Sequence, residues 1–260
     1  MLHGVDPLFA FSGLVVGLLV GFTGVGGGSL MTPLLVLAFG VHPATAVGTD
    51  LLYAGLTKIG GGAVHAYHGA VDWRITRRLA SGSVPAALLS LLLLAHLGST
   101  SKASGGIIST TLGVALIVTA ATLIFRKALL ARLARVLDGA SEGTVGALTI
   151  LLGAVLGVLV TISSVGAGAI GATIVLTLYP RSPIVRIVGS DIAHAVPLTL
   201  IAGAGHWWLG SVDWHMLVSL LIGSIPGIMI ASHFASRVPD RVLRPIMAGT
   251  LAIVGGRLAF

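Results

Sequence analysis

Apolar residues fill long stretches of this chain, and polar ones are confined to short interruptions between them. The first two apolar runs, 7–20 and 30–40, flank Gly21-Phe22-Thr23-Gly24-Val25-Gly26-Gly27-Gly28-Ser29. Two apolar halves with such a breaker between them predict a helix, an unwound turn and a second helix. Glycines let backbones approach closely or take positive φ, and successive N–H groups can then converge into a concavity that attracts anions. Inside a bilayer the signal gains weight, because non-helical backbone at that depth persists only where protein buries it or where it lines a cavity. Close helix packing by small residues is the competing explanation for any single glycine run.

The pattern then recurs. Val160-Thr161-Ile162-Ser163-Ser164-Val165-Gly166-Ala167-Gly168-Ala169 lies about 140 residues later, again between apolar runs. After the first broken segment come apolar stretches at 44–69, 79–97 and 103–125, each near the roughly 20 residues that a bilayer core requires. A polar link containing Asp72-Trp73-Arg74-Ile75-Thr76-Arg77-Arg78 separates the first two. The most polar linker, 126–142, follows. Its Leu129, Leu133, Val136 and Leu137 can share one helical face while Arg126, Arg132 and Arg135 lie elsewhere, which suits a surface amphipathic helix or a solvated loop. The second half repeats the plan with a broken segment at 143–180 and spans at 183–208, 216–235 and 242–260.

Motifs repeat with the hydropathy. Gly48-Thr49-Asp50 matches Gly189-Ser190-Asp191, Val71-Asp72-Trp73 matches Val212-Asp213-Trp214, and Gly82-Ser83-Val84-Pro85 matches Gly223-Ser224-Ile225-Pro226; His65 and His206 also correspond. The division predicted is a first repeat over 1–125, a cytoplasmic linker over 126–142 and a second repeat over 143–260. The fold class expected is an all-α polytopic membrane protein of two inverted repeats, each a glycine-broken helical hairpin followed by three transmembrane helices.

Charge sets the orientation. If each broken segment returns to its own side, Arg74, Arg77, Arg78, Arg126, Lys127, Arg132, Arg135, Arg181, Arg186, Arg237, Arg241 and Arg244 share one face, leaving Lys102 and Arg257 on the other. If each crosses once, the same residues divide almost evenly, which the enrichment of Lys and Arg in cytoplasmic loops disfavours. The hairpin arrangement follows, with both termini outside. Three full spans then lie between the hairpins, and an odd number inverts one repeat relative to the other. Trp207, Trp208 and Trp214 fall at the outer interface and Trp73 at the inner one.

Composition agrees with this pattern: 260 residues, 55% hydrophobic and only 9% charged, with mean hydropathy +1.05. Soluble domains carry nearer a quarter charged. The net charge of +7 therefore speaks to membrane orientation and not to a nucleic-acid partner. With no cysteine, thiolate chemistry and disulfides are excluded. Met1-Leu2-His3-Gly4-Val5-Asp6 has no positive n-region, so the first apolar run is expected to stay in the mature protein.

Lys58 is the most telling candidate site residue, because an ionisable group in mid-span is costly. It reads as the anchor for an anionic substrate or as half of a buried ion pair. Asp50, eight residues away, is displaced by about 12 Å along the helix, so Asp191 is the better partner. Asp50 and Asp191 could relay protons or bind a coupling cation; alternatively they accept hydrogen bonds from the turns and hold their shape. Beside the turns, Thr23, Ser29, Ser163 and Ser164 offer hydroxyls, each alone more typical of a helix cap. The expected substrate-binding set is Thr23, Gly24, Gly26, Gly27, Gly28, Ser29, Lys58, Ser163, Ser164, Gly166 and Gly168. Asp50, Asp191 and His194 form the coupling or structural polar set. His65, His68, His194 and His206 show no metal-ligand spacing, so no metal and no cofactor are expected. His194, one turn from Asp191, is a candidate proton carrier. A triad of Ser163, His194 and Asp191 can be drawn, but repeat symmetry explains the Ser and Asp better, and no enzyme is expected.

Gly24-Val25-Gly26-Gly27-Gly28 with a following Pro33, then Ala46-Val47-Gly48-Thr49, then Val71-Asp72-Trp73, with weaker echoes in the second half, resemble the TauE/SafE sulfite exporter family, also called toluene-sulfonate uptake permeases. The similarity spans nearly the whole chain. It implies a bacterial or archaeal inner-membrane carrier for sulfite, sulfonates or related small sulfur anions, built from two duplicated halves whose glycine-rich segments meet near the substrate. Asp50 stands where the family often has a small hydroxyl residue, and Lys58 is an added charge. The function expected is alternating-access secondary transport of such an anion; the rivals are an anion-selective channel and a non-transporting partner subunit. The partners expected are the small anion and the lipid bilayer, with self-association of the chain left open.

Overall fold

The computed structural model describes residues 5–23, 28–67, 71–98, 101–137, 139–166, 168–234 and 240–259; at 23, 28, 60–67, 102, 232, 234, 240–244 and 246 it describes the backbone alone. Eleven helices and no strand make up these residues: α1 (Pro7–Thr23), α2 (Gly28–Leu37), α3 (Pro43–Tyr67), α4 (Trp73–Leu97), α5 (Lys102–Ile124), α6 (Arg126–Val136), α7 (Glu142–Ser163), α8 (Ala169–Leu178), α9 (Ile184–Trp208), α10 (Trp214–Phe234) and α11 (Asp240–Ala259). Five of them are long and apolar enough to cross a membrane: α4, α5, α7, α9 and α10.

Each glycine-rich break joins two helices whose far ends meet. The Phe9 and Phe39 rings, at the start of α1 and just beyond α2, lie 4.8 Å apart. In the second half the Thr149 and Tyr179 hydroxyls, near the start of α7 and just beyond α8, are 2.9 Å apart. The arms are unequal. The ten residues of α8 extend about 15 Å, whereas the 22 of α7 reach about 33 Å, enough to cross the hydrocarbon.

The most extensive packing pairs helices from opposite halves: α1 with α10, α4 with α7, α3 with α9, and α5 with α11. Small residues allow the first two pairs to touch through backbone. A Cβ on Gly17 of α1 would come within 2.6 Å of the Ser224 carbonyl, and one on Gly157 of α7 within 2.8 Å of the Ser83 Cα. Such contact is what a small residue every fourth position provides in a lipid-embedded helix pair. Register gives direction. Gly13 and Gly17 approach Leu220 and Ser224, so α1 and α10 run in the same sense; Gly153 and Gly157 approach Leu79 and Ser83, so α7 and α4 do too. Across α3 and α9 the order reverses, Gly48 meeting His206 and Gly55 meeting Leu200, and likewise across α5 and α11, where Gly113 meets Ala259 and Ile117 meets Gly255.

Two apolar clusters use corresponding positions of the two halves. One buries Val16, Leu35, Ala46, Met216 and Leu220; the other buries Leu156, Val175, Ile187, Ile75 and Leu79. Polar caps fix the ends. The Asp72 carboxylate accepts from the Arg74 N–H at 3.0 Å and the Ile75 N–H at 3.4 Å, and Asp213 accepts from the Met216 N–H at 2.9 Å. Val-Asp-Trp is thus a helix N-terminus in both halves, a cap of about 1 kcal/mol. Trp73 to Arg78, expected as part of a polar link, form the first turns of α4, because Asp72 supplies the cap that starts the helix there. Cross-half bonds tie these caps down. The Ser190 hydroxyl accepts from the Asp72 N–H at 2.8 Å, and the Thr49 hydroxyl from the Asp213 N–H at 3.0 Å.

The linker forms α6, with no buried residue, packed against α8 and the end of α5. Trp73, Trp207, Trp208 and Trp214 are all exposed, and Trp207 meets Trp214 edge-on with centroids 5.6 Å apart.

Candidate functional site

The polar interior lies where α3 and α9 cross. Asp50 is fully buried on α3, and its Oδ2 accepts from the Thr32 hydroxyl of α2 at 2.5 Å. Its other oxygen has no hydrogen-bond partner, and the buried Ser164 hydroxyl, also unpartnered, is its neighbour. Asp191, the corresponding carboxylate of α9, is buried with Oδ1 unpartnered. Gly171 of α8 passes so close that a Cβ there would sit 2.8 Å from that oxygen. Thus each acidic residue faces the returning arm of its own half, but only α2 offers a hydroxyl.

Lys58 is partly buried one turn beyond Gly55, within electrostatic reach of Asp191 first and Asp50 second. Among the described residues it forms no ion pair with either. His194 shares this environment: its Nε2 is 2.8 Å from the Ser83 hydroxyl of α4, its Nδ1 has no partner, and Lys58 acts on it electrostatically. Tyr53 occupies the position in α3 that His194 occupies in α9, three residues after the aspartate, and its hydroxyl faces that of Ser224, the counterpart of Ser83. His206, by contrast, is a packing residue; its Nε2 is 2.9 Å from the Thr161 carbonyl oxygen.

The turn after α7 is unwound. Ser164 adopts φ 60°, Gly166 φ 123° and Gly168 φ 113°, conformations that residues carrying a Cβ seldom adopt. Ser163 serves the helix end: its hydroxyl donates to the Leu159 carbonyl at 2.6 Å and accepts from the Val165 N–H at 3.3 Å. Ser164, Gly166 and Gly168 are therefore the expected residues that give this turn its shape. In the first half, Gly24, Gly26 and Gly27 lie outside the described residues, as do Ala167, His68 and Arg237. Thr23 and Gly28 close and open their helices, and Ser29 is buried at the start of α2.

Lys58, Asp50, Asp191, His194 and Ser164 are thus brought into one polar neighbourhood, while Ser163 is engaged in capping. The hydroxyl partner of His194 is Ser83, so the drawn triad of Ser163, His194 and Asp191 does not assemble. No group of three metal-ligating side chains occurs among the described residues. Thr32, Tyr53, Ser83 and Ser224 were absent from the expected set. The two serines stood in the repeated Gly-Ser-x-Pro motif, and aligning the halves on their aspartates would have placed Tyr53 opposite His194.

Relatives extend over the whole architecture. The chain is 38% identical over 250 residues to the probable membrane transporter protein YjnA of Bacillus subtilis, covering 95% of this chain and 96% of that protein. It is 27% identical over 251 residues to the probable membrane transporter protein YdhB of the same organism, covering 95% and 97%. A third B. subtilis protein, the probable membrane transporter protein YunE, is 39% identical over 69 residues, covering 26% and 25%. No solved structure matches the chain. Residues 9–258 match the family described as sulfite exporter TauE/SafE, and with the YjnA relationship across both full lengths this chain belongs to that family of membrane transporters.

Proposed function

We propose that the chain is a secondary transporter of a small sulfur-containing anion, such as sulfite or an organosulfonate, across the inner membrane by alternating access. Its two halves act as inverted repeats with both termini outside. The opposite register of α3 against α9 and of α5 against α11 supports the inversion, as does the exchange of packing partners between α1 with α10 and α4 with α7. Rocking of one half against the other would carry the site from one side to the other.

The observation that carries this reading is Lys58. Its amine lies within electrostatic reach of the buried Asp191 and Asp50, and Ser164 of the second hairpin's unwound turn is the neighbour of Asp50. An intramembrane ionisable cluster facing the bundle interior marks a substrate or ion pathway. The amine and the turn amides would bind the anion, with Ser164 supplying a hydroxyl. Charge bookkeeping adds a coupling role: with both carboxylates ionised the three groups sum to minus one, which repels an anion. A proton on Asp50 or Asp191 removes that repulsion, making these two residues, with His194, the candidates for coupling.

The test is counterflow of labelled sulfite or a sulfonate in liposomes holding the purified chain. Saturable counterflow is expected, lost in Lys58→Ala while the variant stays folded and monodisperse. Unchanged counterflow in that variant removes Lys58 from the site. Flux without counterflow or saturation would identify an anion channel instead.

A further inference from the structure

At the end of the bundle where α4, α7 and α9 begin, a pocket of about 470 Å³ opens beneath α6. Its rim carries Arg74 and Arg78 of α4, Arg181 of the α8–α9 connection, and Glu142 of α7. Leu137, Val145 and Leu178 give its lining apolar surface. The carboxylate of Glu142 pairs with Arg74 and accepts from Arg78 Nη2 at 3.4 Å, so one acid serves two bases. Arg78 is held in place, its Nη1 donating to the Tyr179 hydroxyl at 3.1 Å and its guanidinium lying over Gly146. Arg181 is exposed and has no partner among the described residues. Among the described residues, three guanidinium groups and one carboxylate line the pocket, an excess of two positive charges.

A lining that sets arginines beside apolar side chains suits an amphiphile better than a bare ion. An inorganic oxyanion would satisfy the arginines and leave Leu137, Val145 and Leu178 uncovered; a phosphodiester esterified to glycerol covers both. Guanidinium groups bind such oxygens bidentately. Ile184 and Val185, exposed at the start of α9 just beyond the rim residue Ser182, offer acyl chains an apolar path into the bilayer. The covering helix α6 carries Lys127, Arg132 and Arg135 exposed and buries no residue of its own, as expected of a helix resting on charged headgroups. We propose that this pocket is a binding site for the phosphodiester headgroup of an acidic glycerophospholipid, drawn from the leaflet on the arginine-rich side. Basic pockets between membrane helices recognise acidic headgroups by this chemistry. The proposal holds whatever anion the chain transports.

Native mass spectrometry of the full chain, released from nanodiscs containing equal phosphatidylglycerol and phosphatidylcholine, tests it. The wild type is expected to retain one phosphatidylglycerol in preference to phosphatidylcholine. Arg74→Gln combined with Arg181→Gln is expected to lower that retention more than tenfold, at roughly fivefold per arginine near an acidic surface. Should the double variant fail to fold, Arg181→Gln alone decides, because that side chain has no partner to lose among the described residues. Arg135→Gln, on α6 outside the pocket, is expected to retain the lipid. Equal retention by wild type and pocket variants overturns the proposal. So does an equal loss with Arg135→Gln, which would mean diffuse surface charge. Displacement of the lipid by equimolar glycerol 3-phosphate would overturn the lipid assignment in favour of a soluble phosphate ester.

Discussion

Substituting alanine at the two crossing glycines measures how far the bundle depends on backbone contact between its halves. A methyl group on Gly82 would lie 2.7 Å from the Ala154 nitrogen and closer still to the Ile150 carbonyl, where ordinary contact begins at 3.4 Å. To admit it, α4 and α7 must separate by at least 0.7 Å at their closest point. A gap of that size forfeits a quarter to a half of each dispersion contact along the crossing. The neighbouring contacts of Gly153 with Leu79 and Gly157 with Ser83 then loosen together. Overpacking of this kind costs 1–3 kcal/mol, and about 3 kcal/mol is expected here because the obstruction is main chain and cannot rotate away. Gly223→Ala meets Ala10 and Leu14 in the same way and should cost the same. Gly106→Ala and Gly249→Ala are the controls, with nothing within 4 Å of the added carbon; helix propensity makes them neutral or stabilising by up to about 1 kcal/mol. Unfolding in mixed micelles by titrated dodecyl sulfate, read from the fluorescence of the four tryptophans, reports the difference. If Gly82→Ala and Gly223→Ala fall within about 0.5 kcal/mol of the wild type, the crossings are not the close contacts described, because overpacking costs more than that.

Ser190→Ala and Thr49→Val each remove a hydroxyl that accepts from a cap N–H in the other half. Each should cost about 1 kcal/mol, and the pair should add because the two bonds share no residue, as the same micelle titration can check. Anion uptake into liposomes should rise as external pH falls, since protonation of Asp50 or Asp191 lifts the negative excess around Lys58. Asp191→Asn should flatten that dependence, and a pH-independent wild-type rate would contradict the coupling role. The absence of native cysteine permits single-cysteine mapping: on intact cells an impermeant maleimide should label Trp208→Cys and spare Arg135→Cys, and the reverse pattern would invert the assigned orientation.

Helix positions and family were legible in the sequence because both are written locally, in apolar runs of bilayer length and in ordered short motifs. The hairpins were legible through charge, since only their return gathers the arginines of α4, α6 and the α8–α9 connection at one end. What the repeated motifs do was less so. Val-Asp-Trp looked like linker because in the first half its cap points forward into α4, whose first turns are polar. Gly-Ser-x-Pro recurs in both halves, but the motif did not reveal that its glycine admits a helix from the other half and its serine meets His194 or Tyr53. Those partners lie 111 residues away for Ser83, a distance at which no period or local propensity carries information.

The exchange of α1 and α10 between halves also governs how the protein is made. The first helix to leave the ribosome finds its main neighbour only after some 200 further residues have been synthesised, so until then the small residues along one side of α1 face lipid or the insertion machinery. Neither half separated at the linker has that neighbour, and co-expressed halves should assemble where single halves are degraded.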